Sequence, residues 1–465
     1  MADEESTEQS GLPPKELIEV DDELMQDIEE LVRSKSDYLL LNIIQDLYPA
    51  DIAHIMNRLD REQAEYVFGI LPSAVASGAL LELDEYHREH LLKTLSQPRL
   101  TEIVDEMASD DAADIVGELT DERAEEILEK MDVQESSQVE ELLRYEASTA
   151  GGIMGKEFAV VNKNDTVKKA IREVRKLAKS YKNIYSVFVT DDDGILVGSI
   201  PLQDLLIYAP NKRVHNIMSS ELLSVTTDVD QEEVAQMFKK YDAVSLPVTD
   251  TAGKLLGRIT VDDIVDVIDE EHQEDVARLV GSEAMEMEQR SPTQIAFLRI
   301  PWVLMTLFIE FLAGIVIHQF DRTLSQVILL ASFMPIISAI SGNTGLQSAA
   351  IVVRGIATGH IDLTRWWIPI KRQLQTTVII GGVCGVVIGI VGGLWHGKML
   401  FGLVVGISMF ISVNISGFVG TAVPMVSYRL GYDPAMTAGP FETAFQDVVG
   451  ITIFLSIATF LLQWI

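Results

Sequence analysis

Asp447 is a carboxylate at the start of the last apolar segment of the chain, just after the stretch Gly439-Pro440-Phe441-Glu442. An ionised carboxylate inside a helix of membrane length costs about 3 kcal/mol or more, so it usually faces a water-filled path or a cationic partner. Solvation at the membrane interface is the alternative for this position. Two carboxylates compete with it: we expect Glu310 to pair with a neighbouring helix and Glu442 to lie at the cytoplasmic mouth of a pathway.

Oxygen-bearing groups recur elsewhere in the apolar half, in the form that a Mg2+ pathway needs. Mg2+ is a small, hard cation that keeps several of its waters and binds carboxylate, amide and carbonyl oxygens rather than His or Cys. The side chains of Asp447, Asn343 and Gln347, with the backbone around Gly439, supply this set. These four positions are the candidate pore residues.

The second apolar segment is interrupted by the polar stretch from Ser341 to Ser348, which contains two glycines. Backbone groups exposed to lipid there would stay unsatisfied, so such breaks are tolerated where they are buried in protein or line a wet cavity. The fourth apolar segment repeats the theme with Ser412, Asn414 and Ser416. We therefore expect a broken helix at membrane depth beside an ion path.

A run of carboxylates precedes the apolar half and enters a predicted helix. The run consists of Asp263, Asp266, Asp269, Glu270, Glu271, Glu274 and Asp275. A charge run of this kind is ordinarily a solvated helix face. Its place between a soluble region and a membrane region makes cation binding the competing interpretation.

Charge divides the chain into two halves. The 465 residues include 70 acidic and 36 basic ones, for a net charge of −34. The part after Arg290 holds six acidic and eight basic residues, which leaves 64 acidic and 28 basic residues before it. An acidic half of this size repels nucleic acid and anionic lipid and attracts cations. The single cysteine, Cys384, excludes a disulfide framework or thiolate metal site.

The acidic half begins with a predicted disordered tail, residues 1–20, and continues as helix through residues 21–147. Leu and Ile recur there at three- and four-residue spacing, for example around Leu39 and Ile103. Weakly similar units, such as the one ending at Asp60 and the one ending at Asp84, predict short helices stacked in a right-angled or superhelical array.

Residues 151–269 alternate short strands with helices and contain a duplication. The stretch Gly194 to Leu205 matches the stretch Gly253 to Ile264, and Ser186 to Asp191 matches Ser245 to Asp250. Each unit predicts strand, turn, strand and a capped helix. The pair resembles tandem CBS domains, at residues 151–210 and 211–269, which bind nucleotides or ions and report to an attached domain.

Five apolar segments follow a connecting helix predicted at residues 270–290, and each is close to the length that spans a membrane. Ser291 and Pro292 begin a capping box before the first. Basic residues cluster between segments two and three, at Arg354, Arg365, Lys371 and Arg372. The positive-inside rule then places this loop and the acidic half in the cytoplasm and the C-terminus outside a cell membrane.

The whole order resembles the MgtE family of magnesium channels and transporters: an all-α helical-repeat domain, an α/β CBS pair, an acidic connecting helix and a five-span membrane domain, residues 291–465. The resemblance rests on Met334-Pro335, Gly342-Asn343-Thr344-Gly345, Gln347-Ser348, Asp433-Pro434-Ala435, Gly439-Pro440 and Asp447. It implies a homodimer in a lipid bilayer, with the pore between two membrane domains and Asp447 as its selectivity carboxylate.

The resemblance also implies regulatory Mg2+ sites, and cytosolic Mg2+ that closes the pore by bridging acidic domains. The implied ligands are Asp263, Asp266, Glu271, Glu274, Asp275, Asp110, Asp111 and Asp114. This sequence departs from the expected pattern at Gly78, which has no acid, and at Gly439, where only a carbonyl remains to contribute.

Two classes of function remain open at this point, and a third has no support. The first is Mg2+ uptake with feedback from cytosolic Mg2+, and a variant of it carries Co2+ or another divalent cation, because oxygen ligands are not ion-exclusive. The second is a non-conducting membrane sensor whose CBS pair binds ATP or an ion. The third, an enzyme, has no support, since the sequence has no nucleophile elbow, phosphate loop or His/Cys metal cluster.

Overall fold

The computed structural model describes residues 20–44, 47–179, 181, 183–279, 292–361 and 363–461. The predicted tail, the connecting helix beyond Leu279 and the cap at Ser291 lie outside these residues. The chain divides into two compact units, one ending at Val265 and the other beginning at Asp266. Helix α14 (Val261–Leu279) carries the chain from the first into the second.

Short helices build the start of the first unit. Their bounds are α1 (Asp22–Arg33), α2 (Asp37–Ile44), α3 (Pro49–Asn57), α4 (Arg61–Ile70), α5 (Ser73–Leu81), α6 (Glu85–Thr94), α7 (Gln97–Val104), α8 (Ser109–Gly117), α9 (Asp121–Leu128) and α10 (Val133–Leu142). Alternate helices pack on one another, α3 on α5, α5 on α7 and α7 on α9. This is the stacked array that the repeated units predict.

Local sequence explains why these helices begin and end so often. Asp60 caps α4 in a capping box with Gln63, and Asp84 caps α6 by accepting from the backbone of His87. Helix ends leave carbonyls without partners. Arg123 on α9 supplies donors for two of them, including the carbonyl of Leu95 at 2.8 Å. Polar side chains thus hold successive helix ends together.

Two three-stranded sheets follow, each with a parallel and an antiparallel pair. The first contains β1 (Ala159–Asn162), β2 (Ser186–Thr190) and β3 (Leu196–Pro201), with α11 (Val167–Leu177) and α12 (Asp204–Ile207). The second contains β4 (Val225–Thr226), β5 (Ser245–Thr249) and β6 (Leu255–Thr260), with α13 (Gln231–Tyr241). The register of the antiparallel pair shifts at Val189/Thr190 in the first sheet and at Val248/Thr249 in the second. The two copies therefore share the same backbone irregularity.

The two copies meet at their turns. Gly194 and Gly253 occupy equivalent turns with φ near +82° and +83°, a conformation that glycine adopts without steric cost. The amide of Leu196 donates to the carbonyl of Gly253 at 2.9 Å, and that of Leu255 donates to the carbonyl of Gly194 at 3.3 Å. A pair of reciprocal backbone hydrogen bonds therefore joins the copies.

Within the part of the second unit that the structure describes, five helices are long and apolar enough to cross a membrane. They are the first (Ile295–Gln319, within a helix from Pro292), second (Leu330–Ala357), third (Trp367–His396), fourth (Met399–Arg429) and fifth (Pro434–Phe460) membrane helices. The fifth combines a short helix, Pro434–Ala438, with a longer one, Pro440–Phe460. The predicted fold class is confirmed.

The predicted break in the second membrane helix is wrong, because the helix is continuous from Leu330 to Ala357. Its hydroxyl groups bond within the helix: Thr344 donates to the carbonyl of Ile340 at 2.8 Å and Ser348 to that of Thr344 at 2.6 Å. Most of the polar stretch packs against other helices of the same unit, and the exceptions are the exposed side chains of Asn343 and Gln347. Its backbone groups are satisfied because the helix is continuous.

A test of the close packing in the second CBS copy compares two glycines. A Cβ at Gly257 would lie 2.7 Å from the Sδ of Met154 and 3.0 Å from the carbonyl oxygen of Gly155, whereas one at Gly69 in α4 would meet nothing within 4 Å. We expect Gly257→Ala to destabilise the chain by about 1–3 kcal/mol and Gly69→Ala to stabilise it by about 0.5–1 kcal/mol. Thermal unfolding of the purified chain in detergent, followed by circular dichroism, measures both, and equal melting temperatures would contradict the packing.

Candidate ion sites

Asp447 lies half-buried on the fifth membrane helix, where three oxygen-bearing side chains meet. The hydroxyl of Ser338, on the second helix, donates to its Oδ1 atom. The carboxyl group of Glu310, on the first helix, lies within hydrogen-bonding range of it. Glu310 thus lies near Asp447 of the fifth helix, and its pairing with a neighbouring helix stays a prediction. Two carboxylates and a hydroxyl at one point form a set of hard ligands that suits a cation.

Asn343 and Gln347 lie one helical turn apart on the second membrane helix, and both are exposed. Residues four apart share a helix face, so the two amides form one polar strip. Among the described residues, no hydrogen bond connects this strip to Asp447. The structure thus places two predicted pore amides on an open face of the unit.

Gly439 is buried and joins the two parts of the fifth membrane helix. Its carbonyl accepts from the amides of Glu442 at 3.1 Å and Thr443 at 3.3 Å, so the helix itself uses this oxygen. A Cβ at this position would lie 2.7 Å from the carbonyl oxygen of Leu279. The glycine therefore allows the end of α14 to approach the backbone of the fifth helix closely.

Glu442 does not lie at an open mouth, contrary to expectation. Only 1% of its surface is exposed, and it is enclosed among membrane helices of the second unit. The expectation failed because Glu442 begins the fifth helix in sequence, while the second and fourth helices cover that end in space.

Charged groups cluster where α14 ends. Arg278 forms ion pairs with Glu274, one turn earlier, and with Asp433, which caps the helix Pro434–Ala438. Burial, with the negative charges of Asp433 and Glu271, raises the pKa of Asp275 to about 6. The cluster carries more negative than positive charge, so a divalent cation would relieve repulsion there.

A second acidic cluster lies in the first unit, in a cleft of about 280 Å³ between α8 and the second CBS copy. Burial and the charges of Asp111 and Asp263 raise the pKa of Asp110 well above its usual range. Burial also raises the pKa of Asp263, although its Oδ2 accepts from the backbone and hydroxyl of Thr260 at 2.9 and 2.7 Å. Glu157 belongs to the same cleft.

The other predicted regulatory carboxylates lie toward solvent or at intermediate depth. Asp114 and Asp266 are exposed, and Asp111 and Glu271 are partly buried. Among the residues that the structure describes, no three His, Cys, Asp or Glu side chains are grouped closely enough to enclose a metal ion. Each cluster therefore offers part of a coordination shell, all of it oxygen, which suits Mg2+ because that ion keeps several waters.

Sequence reasoning missed three groups that shape these sites. They are Ser338 beside Asp447, Glu157 beside Asp110, and the Arg278–Asp433 ion pair. Glu157 is buried, and it accepts from the backbone and hydroxyl of Ser109, both at 3.0 Å. Only Glu157 had a signal in the sequence, because an acid directly before the apolar run Phe158-Ala159-Val160-Val161 is unusual.

Family models match most of the chain. A divalent cation transporter model, MgtE, matches residues 334–457, the MgtE intracellular N domain matches residues 47–148, and the CBS domain matches residues 150–211 and 214–270. The ion-site cluster around Asp447 lies mostly within the transporter match. The cleft around Asp110 and Asp263 combines the other two.

Curated relatives match over nearly the full length. The magnesium transporter MgtE of Bacillus subtilis is 33% identical over 438 residues, which cover 94% of this chain and 97% of the relative. That of Thermus thermophilus is 31% identical over 452 residues, covering 96% and 100%. A crystal structure of the cytosolic domain of the Mg2+ channel MgtE in complex with ATP is 34% identical, with a TM-score of 0.50, and covers 52% of this chain and 99% of that one. The resemblance drawn from sequence is confirmed: this chain belongs to the MgtE family of magnesium transporters.

Proposed function

We propose that this chain forms a Mg2+-selective channel that carries Mg2+ into the cell and closes when cytosolic Mg2+ binds its acidic half. The observation that carries the proposal is the meeting of Asp447, Glu310 and Ser338 inside the bundle of membrane helices. An oxygen-only set with few protein ligands suits an ion that retains water. The names of the full-length relatives, magnesium transporters, support Mg2+ as the cargo.

The conducting path runs between two copies of the chain in this proposal. Asn343 and Gln347 form a polar strip on an exposed face of the second membrane helix. A polar face at membrane depth is costly against lipid, so a second copy and a water-filled path are its natural neighbours. Gly439 acts by allowing close packing of α14, because helix amides already use its carbonyl.

The acidic half lies in the cytoplasm in this proposal, and the C-terminus lies outside. Arg354, Arg365, Lys371 and Arg372 flank the connection between the second and third membrane helices, which supports a cytoplasmic position for it. Five spans then place the two ends of the membrane unit on opposite sides. Inward flow of a cation follows the usual negative potential of the cell interior.

Feedback uses the acidic clusters. The proposed Mg2+ ligands are Asp263, Asp266, Glu271, Glu274, Asp275, Asp110, Asp111 and Asp114. At low Mg2+ these carboxylates repel one another, and bound Mg2+ removes the repulsion. The ion closes the channel only if it binds the closed state more tightly than the open state. Partial oxygen shells within one chain leave positions for water and for a second copy.

A nucleotide is a further proposed ligand of the CBS pair. The support is the related cytosolic domain, which was crystallised in complex with ATP and is 34% identical to this chain. A transporter of Co2+ remains the alternative within the same class, since the ligand chemistry is shared. A sensor that conducts nothing is less well supported, because it has no use for the polar cluster around Asp447.

The pore proposal predicts that Asp447→Asn abolishes Mg2+ uptake. The change removes the charge that attracts the ion and keeps a hydrogen-bond acceptor for Ser338. We expect at least a 100-fold loss of uptake, about 3 kcal/mol of lost stabilisation of the permeating ion. Growth of a strain that depends on this chain for Mg2+, with uptake of radioactive Mg2+ into vesicles, provides the measurement. Asp321→Asn, at an exposed helix start, is the matched control, and full uptake by Asp447→Asn would refute the assignment.

The feedback proposal predicts a channel that stays open at high internal Mg2+ when Asp263, Asp266 and Glu271 are replaced together by their amides. Without these charges, Mg2+ no longer stabilises the closed state over the open one. Patch recording of inside-out membrane with Mg2+ added to the cytoplasmic face measures the open probability. The control replaces Asp121, Glu122 and Glu125, acids of α9, and changes the net charge equally. Closure of both variants at the same Mg2+ concentration would count against the proposal.

The pKa of Asp275 predicts how feedback depends on pH. Below about pH 6 this carboxyl is protonated and cannot bind Mg2+, so lowering the pH from about 7.5 to about 5.5 should weaken Mg2+ binding about fourfold through this group. Because its pKa is raised on folding, the Mg2+-free chain gains stability from this group as the pH falls through about 6 toward the unfolded pKa of about 4. Mg2+-dependent protection from protease, titrated at both pH values, tests this, and Asp275→Asn should reduce the difference.

A further inference from the structure

Glu442 is a buried carboxylate that the proposed pathway does not use. It is 1% exposed, and neither of its oxygens has a hydrogen-bond partner among the described residues. Gln446, one turn later and also 1% exposed, lies beside it, yet its amide nitrogen makes no hydrogen bond of good geometry within the described chain either. A buried ionised group without a partner is strongly unfavourable, so something must compensate this charge.

The fourth and fifth membrane helices direct oxygen-bearing side chains to a place beside the second helix, where Glu442 lies. A Cβ at Gly345, on the second membrane helix, would lie 2.7 Å from the carboxyl carbon of Glu442 and 2.6 Å from the Oγ of Ser416, on the fourth. The two side chains thus occupy space that a larger residue at position 345 would fill. Glycine at position 345 therefore lets these two side chains come together at the junction of the second, fourth and fifth helices.

The polar lining continues along the same helix faces. Ser412 lies one turn before Ser416, is 1% exposed, and its hydroxyl has no hydrogen-bond partner among the described residues. Ser341 lies one turn before Gly345, and a Cβ at Gly450 would be 3.3 Å from its Oγ and 3.8 Å from that of Ser412. The hydroxyl of Ser341 is bonded to carbonyls of its own helix, whereas that of Ser412 is not. Buried polar atoms are normally paired, so the unpaired Ser412 hydroxyl marks a place for a ligand.

The direction of the hydrogens identifies the kind of ligand. Ser416 donates its hydroxyl proton to the carbonyl of Ser341, so its remaining lone pairs face Glu442. Glu442 offers lone pairs as well, and no Lys or Arg of the described chain pairs with it. The charge that acts on it is negative, that of Asp447. Lone pairs facing lone pairs repel unless a positive ion lies between them.

We propose that Glu442, Gln446, Ser416 and Ser412 bind a dehydrated monovalent cation, Na+, in the interior of the membrane unit. One carboxylate among neutral oxygens balances a single positive charge. Mg2+ does not fit, because it retains waters that an enclosed site has no room for, and Ca2+ takes six to eight oxygens, usually including several carboxylates. A proton held between Glu442 and the lone pairs of Ser416 is the competing occupant, and the separate dependence of stability on Na+ and on pH distinguishes the two.

Binding of this ion would link the fourth and fifth helices at the place where they pack beside the second. Glu442 belongs to the fifth helix, Gly345 to the second and Ser416 to the fourth, and these helices pack on one another. The site is separate from the Asp447 cluster and does not depend on the proposed conduction of Mg2+. Na+ at this site stabilises the folded membrane unit.

Thermal unfolding of the full-length chain in lipid nanodiscs tests the proposal. We expect NaCl to raise the melting temperature saturably, by about 5 °C, over N-methyl-D-glucamine chloride of equal ionic strength. Glu442→Gln should abolish this rise and melt higher than the parent without Na+, because the uncompensated charge is gone. Ser416→Ala should retain the rise but need about tenfold more Na+, and Asp321→Asn should behave as the parent.

Two results would overturn the proposal. One is a parent melting temperature that is equal in the two salts at every pH, or that follows pH but not Na+, which would assign the compensating charge to a proton. The other is a Na+ effect that Glu442→Gln and Ser416→Ala both leave unchanged. If Glu442→Gln does not fold, the Na+ requirement of Ser416→Ala decides the question alone.

Discussion

Oxygen atoms that carry negative charge must find a positive or hydrogen-bearing partner when a bundle of apolar helices excludes water. The membrane unit meets this requirement in two ways. Asp447 accepts from Ser338 and remains partly open, so water, and in the proposed pathway a passing cation, can complete its surroundings. Glu442 is closed off beside Gln446, and the proposed Na+ would balance its charge. The two carboxylates therefore differ in burial: Asp447 is open enough to exchange water and ions, whereas Glu442 is too enclosed to do so readily.

The same requirement operates in the first unit, in contact with water. Asp110 and Asp263 are carboxylates from separate folding modules, brought together with Glu157 in one cleft. Burial and mutual repulsion oppose their ionisation, which raises both pKa values. A pair of this kind is favourable when protonated or bridged by a cation, and unfavourable otherwise. In the proposed feedback, a divalent ion that bridges this pair stabilises the folded arrangement of the unit.

Much of the architecture could be predicted because its signals are local or repeated. The five spans follow from the length of apolar runs, and the CBS pair from a duplication that the structure carries into equal register shifts at Val189 and Val248. Asp447 stood out because charge is rare in such segments. Its exact role and those of the regulatory carboxylates remain predictions.

Other features could not be predicted, because they depend on which membrane helices pack against a given residue in the folded unit. The Ser, Thr and Gly residues between Ser341 and Ser348 are equally compatible with a broken helix and with a continuous, tightly packed one. The helices that pack around this stretch make it continuous. The depth of Glu442 has the same origin. The carbonyl of Gly439 is used by two amides of its own helix, a detail of backbone geometry that residue types do not encode.

The unbroken second membrane helix has a mechanical consequence. At 28 residues it is a rod of about 42 Å, and Ser338, Asn343 and Gln347 are fixed along it. A rod without a break cannot open a passage by local unwinding. It can only tilt, rotate or bend, and Pro335 inside it is the position where a backbone hydrogen bond is missing and bending is easiest. Any movement at its Ala357 end therefore displaces all three polar side chains together.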